Sequence, residues 1–263
     1  MSEERTGRKE MQEIVLKTTD LTKKYHNKAV VDNLNLEIRK GEIFGLLGPN
    51  GAGKSTTMNM VCSIVKPTAG KVELFGKDLI KQKKEVLPKI GYIPQELAIH
   101  GKLKAWENVE LFASLYGIKG AELKKTVEDS LEYVGLLDRK KEYARNFSGG
   151  MKRRLNIACA IGHHPELLIF DEPTVGIDPQ SRNFILEKIK ESNQKGATVI
   201  YTSHYMEEVE AICTRIAVMD NGKIIACGTS KELKQLVSSE NEDITLEEVF
   251  LTLTGKKLRD YTE

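Results

Sequence analysis

The chain has 263 residues, 40% of them hydrophobic and 30% charged, enough for one large domain or two modest ones. Its 40 basic and 38 acidic residues leave a formal net charge of +2, so the balance demands neither a nucleic acid nor an anionic membrane as partner. Cys62, Cys159, Cys213 and Cys227 form no CxxC pair and have no histidine at ligand spacing, which argues against a zinc site or disulfide framework and for small buried thiols in a reducing compartment.

Residues 1–12 are polar and charged, are expected to be disordered, and lack the apolar core of a signal peptide. No run approaches the roughly 18 apolar residues of a membrane span. A cytoplasmic chain is expected, with any membrane supplied by other chains. From Ile14 to Ile43 the pattern is short strands separated by turn residues. Tyr25 lies in this stretch; its ring could stack on a base, or simply pack in a hairpin.

Ile43 to Leu47 is a compact apolar run, read as a buried strand. It meets Gly48-Pro49-Asn50-Gly51-Ala52-Gly53-Lys54-Ser55, which fits GxxxxGK followed by Ser or Thr, and then a helical stretch from Thr56 to Val65. The glycines let the backbone curl so that successive N–H groups face phosphates. Lys54 would reach the β- and γ-phosphates and the Ser55 hydroxyl would ligate Mg²⁺. The bland reading, a glycine-rich turn with an incidental lysine, does not explain a strand before it and a helix after it.

Val72–Phe75 and Ile90–Ile93 read as further strands, the second ending at Pro94-Gln95. The Gln95 amide could touch Mg²⁺ or a water, although a glutamine at a strand end is ordinarily just polar. Residues 96 to about 160 switch to helical periodicity, the pattern of an inserted helical subdomain. The lysine-rich runs at Lys81–Lys84 and Arg139–Lys141 are read as solvated faces. Ser148-Gly149-Gly150 opens a helix, and helix N-termini bind anions.

The strand Leu167–Phe170 ends in Asp171 and Glu172. A carboxylate at the end of a buried strand holds a metal ion, and a second beside it can polarise an attacking water, so Asp171 is the expected Mg²⁺ ligand and Glu172 the general base. His204 follows the strand Thr198–Tyr201, where it could contact a γ-phosphate; His26, His100, His163 and His164 read as surface or helix-end residues. Ile216–Met219 and Lys223–Ala226 form a hairpin around Asp220-Asn221-Gly222. Residues 230–263 read as a helical extension with Leu246, Val249 and Phe250 on one face. Strands alternating with helices predict an α/β sandwich with a mainly parallel central sheet.

Taken together, these residues resemble the ATP-binding subunit of an ABC transporter over about residues 13–228, with Phe147-Ser148-Gly149-Gly150-Met151 as the signature, Asp178 in the D-loop and His204 as the switch. The resemblance implies a P-loop NTPase core spanning residues 13–229, with an N-terminal antiparallel β subdomain and a helical insertion. It also implies a head-to-tail dimer with ATP and Mg²⁺ between the chains, as a homodimer or with a related chain. Each ATP would be held by Gly48 to Thr56 of one chain and by Ser148, Gly149, Gly150 and Asp178 of the other. The partner would be a membrane-spanning permease docking near residues 96–120, with the ATPase peripheral on the cytoplasmic face and no nucleic acid involved. Phe147 and Met151 depart from the common LSGGQ signature, but its phosphate-facing groups, Ser148 and the glycine backbone, are intact. FSGGMKRR, PTVGIDPQSR, TSHYMEE and LEEVF resemble the drug- and antibiotic-exporter branch, so export is expected. The alternatives are an importer subunit and a soluble ABC-type ATPase or regulatory module.

Overall fold

In the computed structural model, which describes residues 13–237 and 244–255, two sheets share one of two apolar cores. The first sheet contains β1 (Ile14–Tyr25), β2 (Lys28–Arg39), β4 (Ala69–Leu74) and β5 (Lys77–Asp78), all antiparallel, in the order β2-β1-β4-β5. The second contains β3 (Ile43–Leu47), β6 (Ile90–Ile93), β7 (Leu167–Asp171), β8 (Thr198–Ser203), β9 (Arg215–Asp220) and β10 (Lys223–Gly228), in the order β10-β9-β3-β8-β7-β6. All its pairings are parallel except the β9–β10 hairpin. The expected α/β architecture with an antiparallel β subdomain and a mainly parallel central sheet is what forms.

Helix α1 (Lys54–Val61) follows β3, and the short α2 (Lys83–Val86) precedes β6. Between β6 and β7 lie α3 (Ala105–Leu115), α4 (Gly120–Tyr133) and α5 (Gly149–Ile161). After β7 come α6 (Pro179–Gln194), α7 (Met206–Ile212), α8 (Ser230–Gln235) and α9 (Leu246–Thr254).

The central strands are apolar on both faces because each face is covered. Along β7, Leu167 and Ile169 enter the core shared with the antiparallel sheet and α1, while Leu168 and Phe170 enter the core shared with the helices. Each such side chain, fully buried, contributes roughly 1.5–3 kcal/mol. Polar function is thereby left to the strand ends, where β3, β6, β7 and β8 deliver their loops.

Several boundaries differ from expectation. The segment before β3 holds two strands of 12 residues each rather than several short ones. Asp20 and Asn33 lie inside these strands, and both adopt positive φ at 48° where the β1–β2 register shifts. Asn35 reinforces the irregularity by donating from Nδ2 to Asp20 Oδ1 at 3.0 Å and accepting the Asp20 N–H at 2.9 Å. Helix α1 starts at Lys54 and ends at Val61, not Val65, because Ser63 turns the chain at φ 57°. Strand β4 spans Ala69–Leu74, and Phe75 leaves it at φ 51°.

The tail over residues 1–12 lies outside the described residues. Within the described part of residues 230–263, α8 and α9 form, each opened by a capping box (Thr229 with Glu232, Thr245 with Glu248), and Leu246, Val249 and Phe250 are buried. Lys81, Lys83 and Lys84 are exposed, as read. Cys159 is buried but Cys227 is exposed, so the thiols are not uniformly interior. His163 is not a free surface residue: its ring stacks on Tyr116 at 3.7 Å and its Nε2 lies 2.9 Å from the Ile90 carbonyl. Among the described residues no helix is long and apolar enough to cross a membrane.

Candidate functional site

The chain leaves β3 at Leu47, curls through Gly48–Gly53 and enters α1. Gly53 sits at φ 107°, and a Cβ there would lie 2.6 Å from the Val30 carbonyl oxygen, so only glycine fits both the turn and the approach of β2. Gly53 is also the N-cap of α1 and supplies no side-chain acceptor, while the first N–H groups of a helix have no partner within it. Those groups border a cleft of about 360 Å³ lined by Val30, Asn50, Gly51, Gly53 to Thr56, Gln95 and Glu172. Pro49 and Ala52 shape the curl, Ala52 donating its N–H to the Pro49 carbonyl at 3.1 Å.

Lys54, expected to reach phosphate, is turned into its own loop. Its Nζ donates to the Gly48 carbonyl at 2.7 Å and the Pro49 carbonyl at 3.1 Å, and pairs with Glu172 Oε1 at 2.9 Å. Both partners are buried, with side chains 3% and 4% exposed. Glu172 follows β7 directly in a left-handed conformation, φ 46°, and its N–H is held by the Thr202 carbonyl at 3.1 Å and the Thr202 hydroxyl at 3.0 Å. Its Oε2 accepts from Gln95 Nε2 at 3.5 Å and lies 3.3 Å from His204 Nδ1. Burial would raise the Glu172 carboxyl, but His204 and the charge of Lys54 outweigh it and hold the group down to about 2. Glu172 is therefore ionised at neutral pH, the state in which a carboxylate accepts a proton.

Asp171, 2% exposed, accepts from Ser55 Oγ at 3.1 Å and Thr202 Oγ1 at 2.6 Å on Oδ1, and from Tyr92 OH at 3.3 Å on Oδ2. Burial and the nearby Asp171 charge push the Tyr92 phenol well up, so it remains a donor. A serine hydroxyl and an aspartate, with the Gln95 amide beside the same cleft, form an all-oxygen donor set, which suits Mg²⁺. Among the described residues no group of three or more His, Cys, Asp and Glu is placed to hold a metal alone.

The second expected anion site stands apart. Ser148 caps α5 by accepting the Met151 N–H at 3.3 Å; Ser148 and Gly149 are exposed, and a Cβ at Gly149 would meet nothing. Neither residue lines the cleft at Lys54. Gly150 is buried against the start of α6, where a Cβ would lie 2.0 Å from Ser181 Oγ and 3.2 Å from Asp178 Oδ2. Asp178 caps α6 by accepting the Ser181 N–H at 2.9 Å, a bond that holds its carboxyl below its ordinary value. Tyr25 is 46% exposed at the end of β1, with the Lys23 ammonium 4.9 Å from its ring centre.

The fold thus gathers Lys54, Ser55, Gln95, Asp171, Glu172 and His204, and leaves Ser148 and Gly149 outside that cluster. Three contributors carried no local signal in the sequence. Tyr92 and Thr202 sit in apolar strands, and Arg153 is one of several basic residues on α5. Arg153, 5% exposed, donates to the Pro94 carbonyl at 2.7 Å and the Gln95 carbonyl at 2.6 Å, tying the helix that begins at Ser148 to the loop that carries Gln95.

The family model described as "ABC transporter" matches residues 31–175. Over 219 residues the chain is 50% identical to the linearmycin resistance ATP-binding protein LnrL of Bacillus subtilis (strain 168), covering 83% of this chain and 70% of that protein. It is 41% identical over 215 residues to the bacitracin transport ATP-binding protein BcrA of Bacillus licheniformis, covering 80% and 68%. A solved dimeric structure, described as a post-hydrolysis state of the ATP-binding cassette MJ0796 bound to ADP and Pi, matches with a TM-score of 0.75 and 27% identity over 81% of this chain and 98% of that one.

Proposed function

We propose that this chain, which belongs to the ABC transporter family and is an ATPase, powers export through a separate membrane-spanning permease by closing and opening a head-to-tail dimer around ATP. The observation that carries this reading is the division of the phosphate-binding groups: one set converges on Lys54 and Glu172, and the other, at Ser148 and Gly149, faces outward.

In the proposed mechanism the phosphates enter the cleft at the start of α1 and draw Lys54 away from Glu172 and the Gly48 and Pro49 carbonyls. Ser55 and Asp171 would hold Mg²⁺, with Gln95 beside them; when bound, the ion neutralises phosphate charge. Release of Lys54 frees Glu172 Oε1 to accept a proton from the attacking water. The water oxygen bonds to the γ-phosphorus as the bond to the β–γ bridging oxygen breaks, giving ADP and phosphate. His204 would hold the γ-phosphate side of the site, and Tyr25 would stack on the base. Ser148, Gly149 and Gly150, with Asp178, would close on the nucleotide of a second copy or a related chain. Loss of the γ-phosphate removes that bridge and the dimer opens.

Exposed Leu97, Leu111, Leu115 and Tyr116 support docking of a cytoplasmic permease segment near residues 96–120, and the chain would then be peripheral on the cytoplasmic face. The named roles of LnrL and BcrA, in linearmycin resistance and bacitracin transport, support export over import. The test is phosphate release from ATP and Mg²⁺ by purified wild type and Glu172→Gln, with capture of the co-purifying membrane protein. Turnover lost in the variant with ATP binding retained supports the assignment; equal turnover overturns the base, and a captured importer permease overturns export.

A further inference from the structure

Behind the hydrolytic cluster lies a second buried carboxylate that the mechanism above does not use. Glu208 on α7 is 3% exposed. Its Oε2 accepts three hydroxyl hydrogen bonds: from Tyr201 at 2.7 Å, Thr174 at 2.8 Å and Ser203 at 3.1 Å. Among the described residues its Oε1 has no hydrogen-bond donor, and it lies 3.2 Å from Arg182 Nε on α6. Burying a charge is unfavourable unless partners compensate it, and a hydrophobic residue of similar volume commonly does as well for stability. Stability alone is therefore a weak reason for this group.

Its partners suggest another reason. Thr174 lies two residues beyond Glu172, and Ser203 lies one residue before His204. Ser203 also accepts the Tyr205 N–H on Oγ at 2.9 Å and the Gly48 N–H on its carbonyl at 3.4 Å. Arg182, four residues past Asp178, stacks its guanidinium 5.2 Å from the Tyr205 ring centre. One oxygen thus joins the loop leaving Glu172, the loop carrying His204 and the strand between them. Three hydroxyl donors converge on one oxygen while the other faces the Arg182 N–H, so every group around the node is a donor and a glutamine, whose own amide N–H would oppose one of them, does not suit it.

We propose that Glu208 is a positioning residue of the ATPase: through Thr174 and Ser203 it fixes the backbone on either side of the Glu172–His204 contact. This inference rests on the hydrolytic reading of Glu172. Nucleotide binding runs through Gly48 to Thr56, which Glu208 touches only indirectly, so its loss acts on the chemical step.

The test is single-turnover hydrolysis by the full chain, expressed per bound ATP, with thermal unfolding measured in parallel. Glu208→Gln lowers the rate constant about 10- to 100-fold, the range for loss of a supporting partner behind a reacting group, with ATP affinity unchanged. Thr174→Val gives part of that loss, and the double variant is no slower than Glu208→Gln alone, because both act through one node. Should Glu208→Gln fail to fold, Thr174→Val and Ser203→Ala carry the same test. A wild-type rate per bound ATP in folded Glu208→Gln overturns the proposal, as do losses that multiply in the double variant. An inactive wild type would instead overturn the hydrolytic reading, and the two failures are told apart by that control.

Discussion

Lys54 and Glu172 form a buried ion pair, and that contact has a measurable consequence. Removing one member of a buried ion pair leaves the other charge uncompensated, typically at a cost of about 3–5 kcal/mol. Glu172→Gln is therefore expected to lower the melting temperature without ATP, because Lys54 is 4% exposed and loses its counter-charge. ATP, whose phosphates replace that counter-charge, restores more stability in the variant than in wild type. The same substitution lowers turnover by about 100-fold or more, the scale of general-base catalysis. Differential scanning with and without ATP, beside a phosphate-release assay, checks both; an unchanged melting temperature in the apo variant would contradict the pairing. At this scale much was legible in the sequence. Gly48–Ser55 and Asp171-Glu172 are each defined by neighbours in the chain and by the strand before them. Tyr92, Arg153, Thr202 and Glu208 were not legible, because their roles come from contacts across the fold and their local sequence reads only as strand or helix surface.

Among the elements, α5 and α6 meet where a side chain at position 150 cannot fit. Gly150→Ala would place a Cβ 2.0 Å from Ser181 Oγ and 2.7 Å from Ser181 Cβ. The expected outcome is a loss of about 1–3 kcal/mol, the usual range for overpacking, with ATP binding retained and turnover reduced. Ser181→Gly in that background relieves the clash and recovers part of both losses. Nucleotide titration, denaturant melts and turnover of the single and double variants measure this, and a fully active, fully stable Gly150→Ala would show that the helices do not meet as described. Arg153→Met, which removes both bonds to the Pro94 and Gln95 carbonyls, is expected to reduce turnover more than ATP affinity, read from kcat against KM. Elements were legible in proportion to their burial. Strands β3 and β7 announce themselves because both faces are covered, whereas β1 and β2 look like several short strands because Asp20 and Asn33 absorb bulges within them.

At the scale of the whole molecule, the proposed function divides the nucleotide-binding groups of one chain into two half-sites. In it, Lys54 and Glu172 would serve one nucleotide, and Ser148 to Gly150 the nucleotide of a second chain. The sequence carried this division only through its resemblance to a family, since spacing alone does not say which glycine pair serves which phosphate. The exposed Ser148 and Gly149, outside the cleft at Lys54, give it a physical basis. Ser148→Arg is expected to leave ATP binding by the single chain intact and to block association. The most direct test is the mass of Glu172→Gln in solution, followed by light scattering across an ATP titration, with Glu172→Gln/Ser148→Arg alongside. The expected mass is one chain without ATP, two chains at saturating ATP, and one chain throughout when Ser148 is replaced while ATP still binds. A Glu172→Gln chain that remains single at saturating ATP, or a double variant that still pairs, would contradict it.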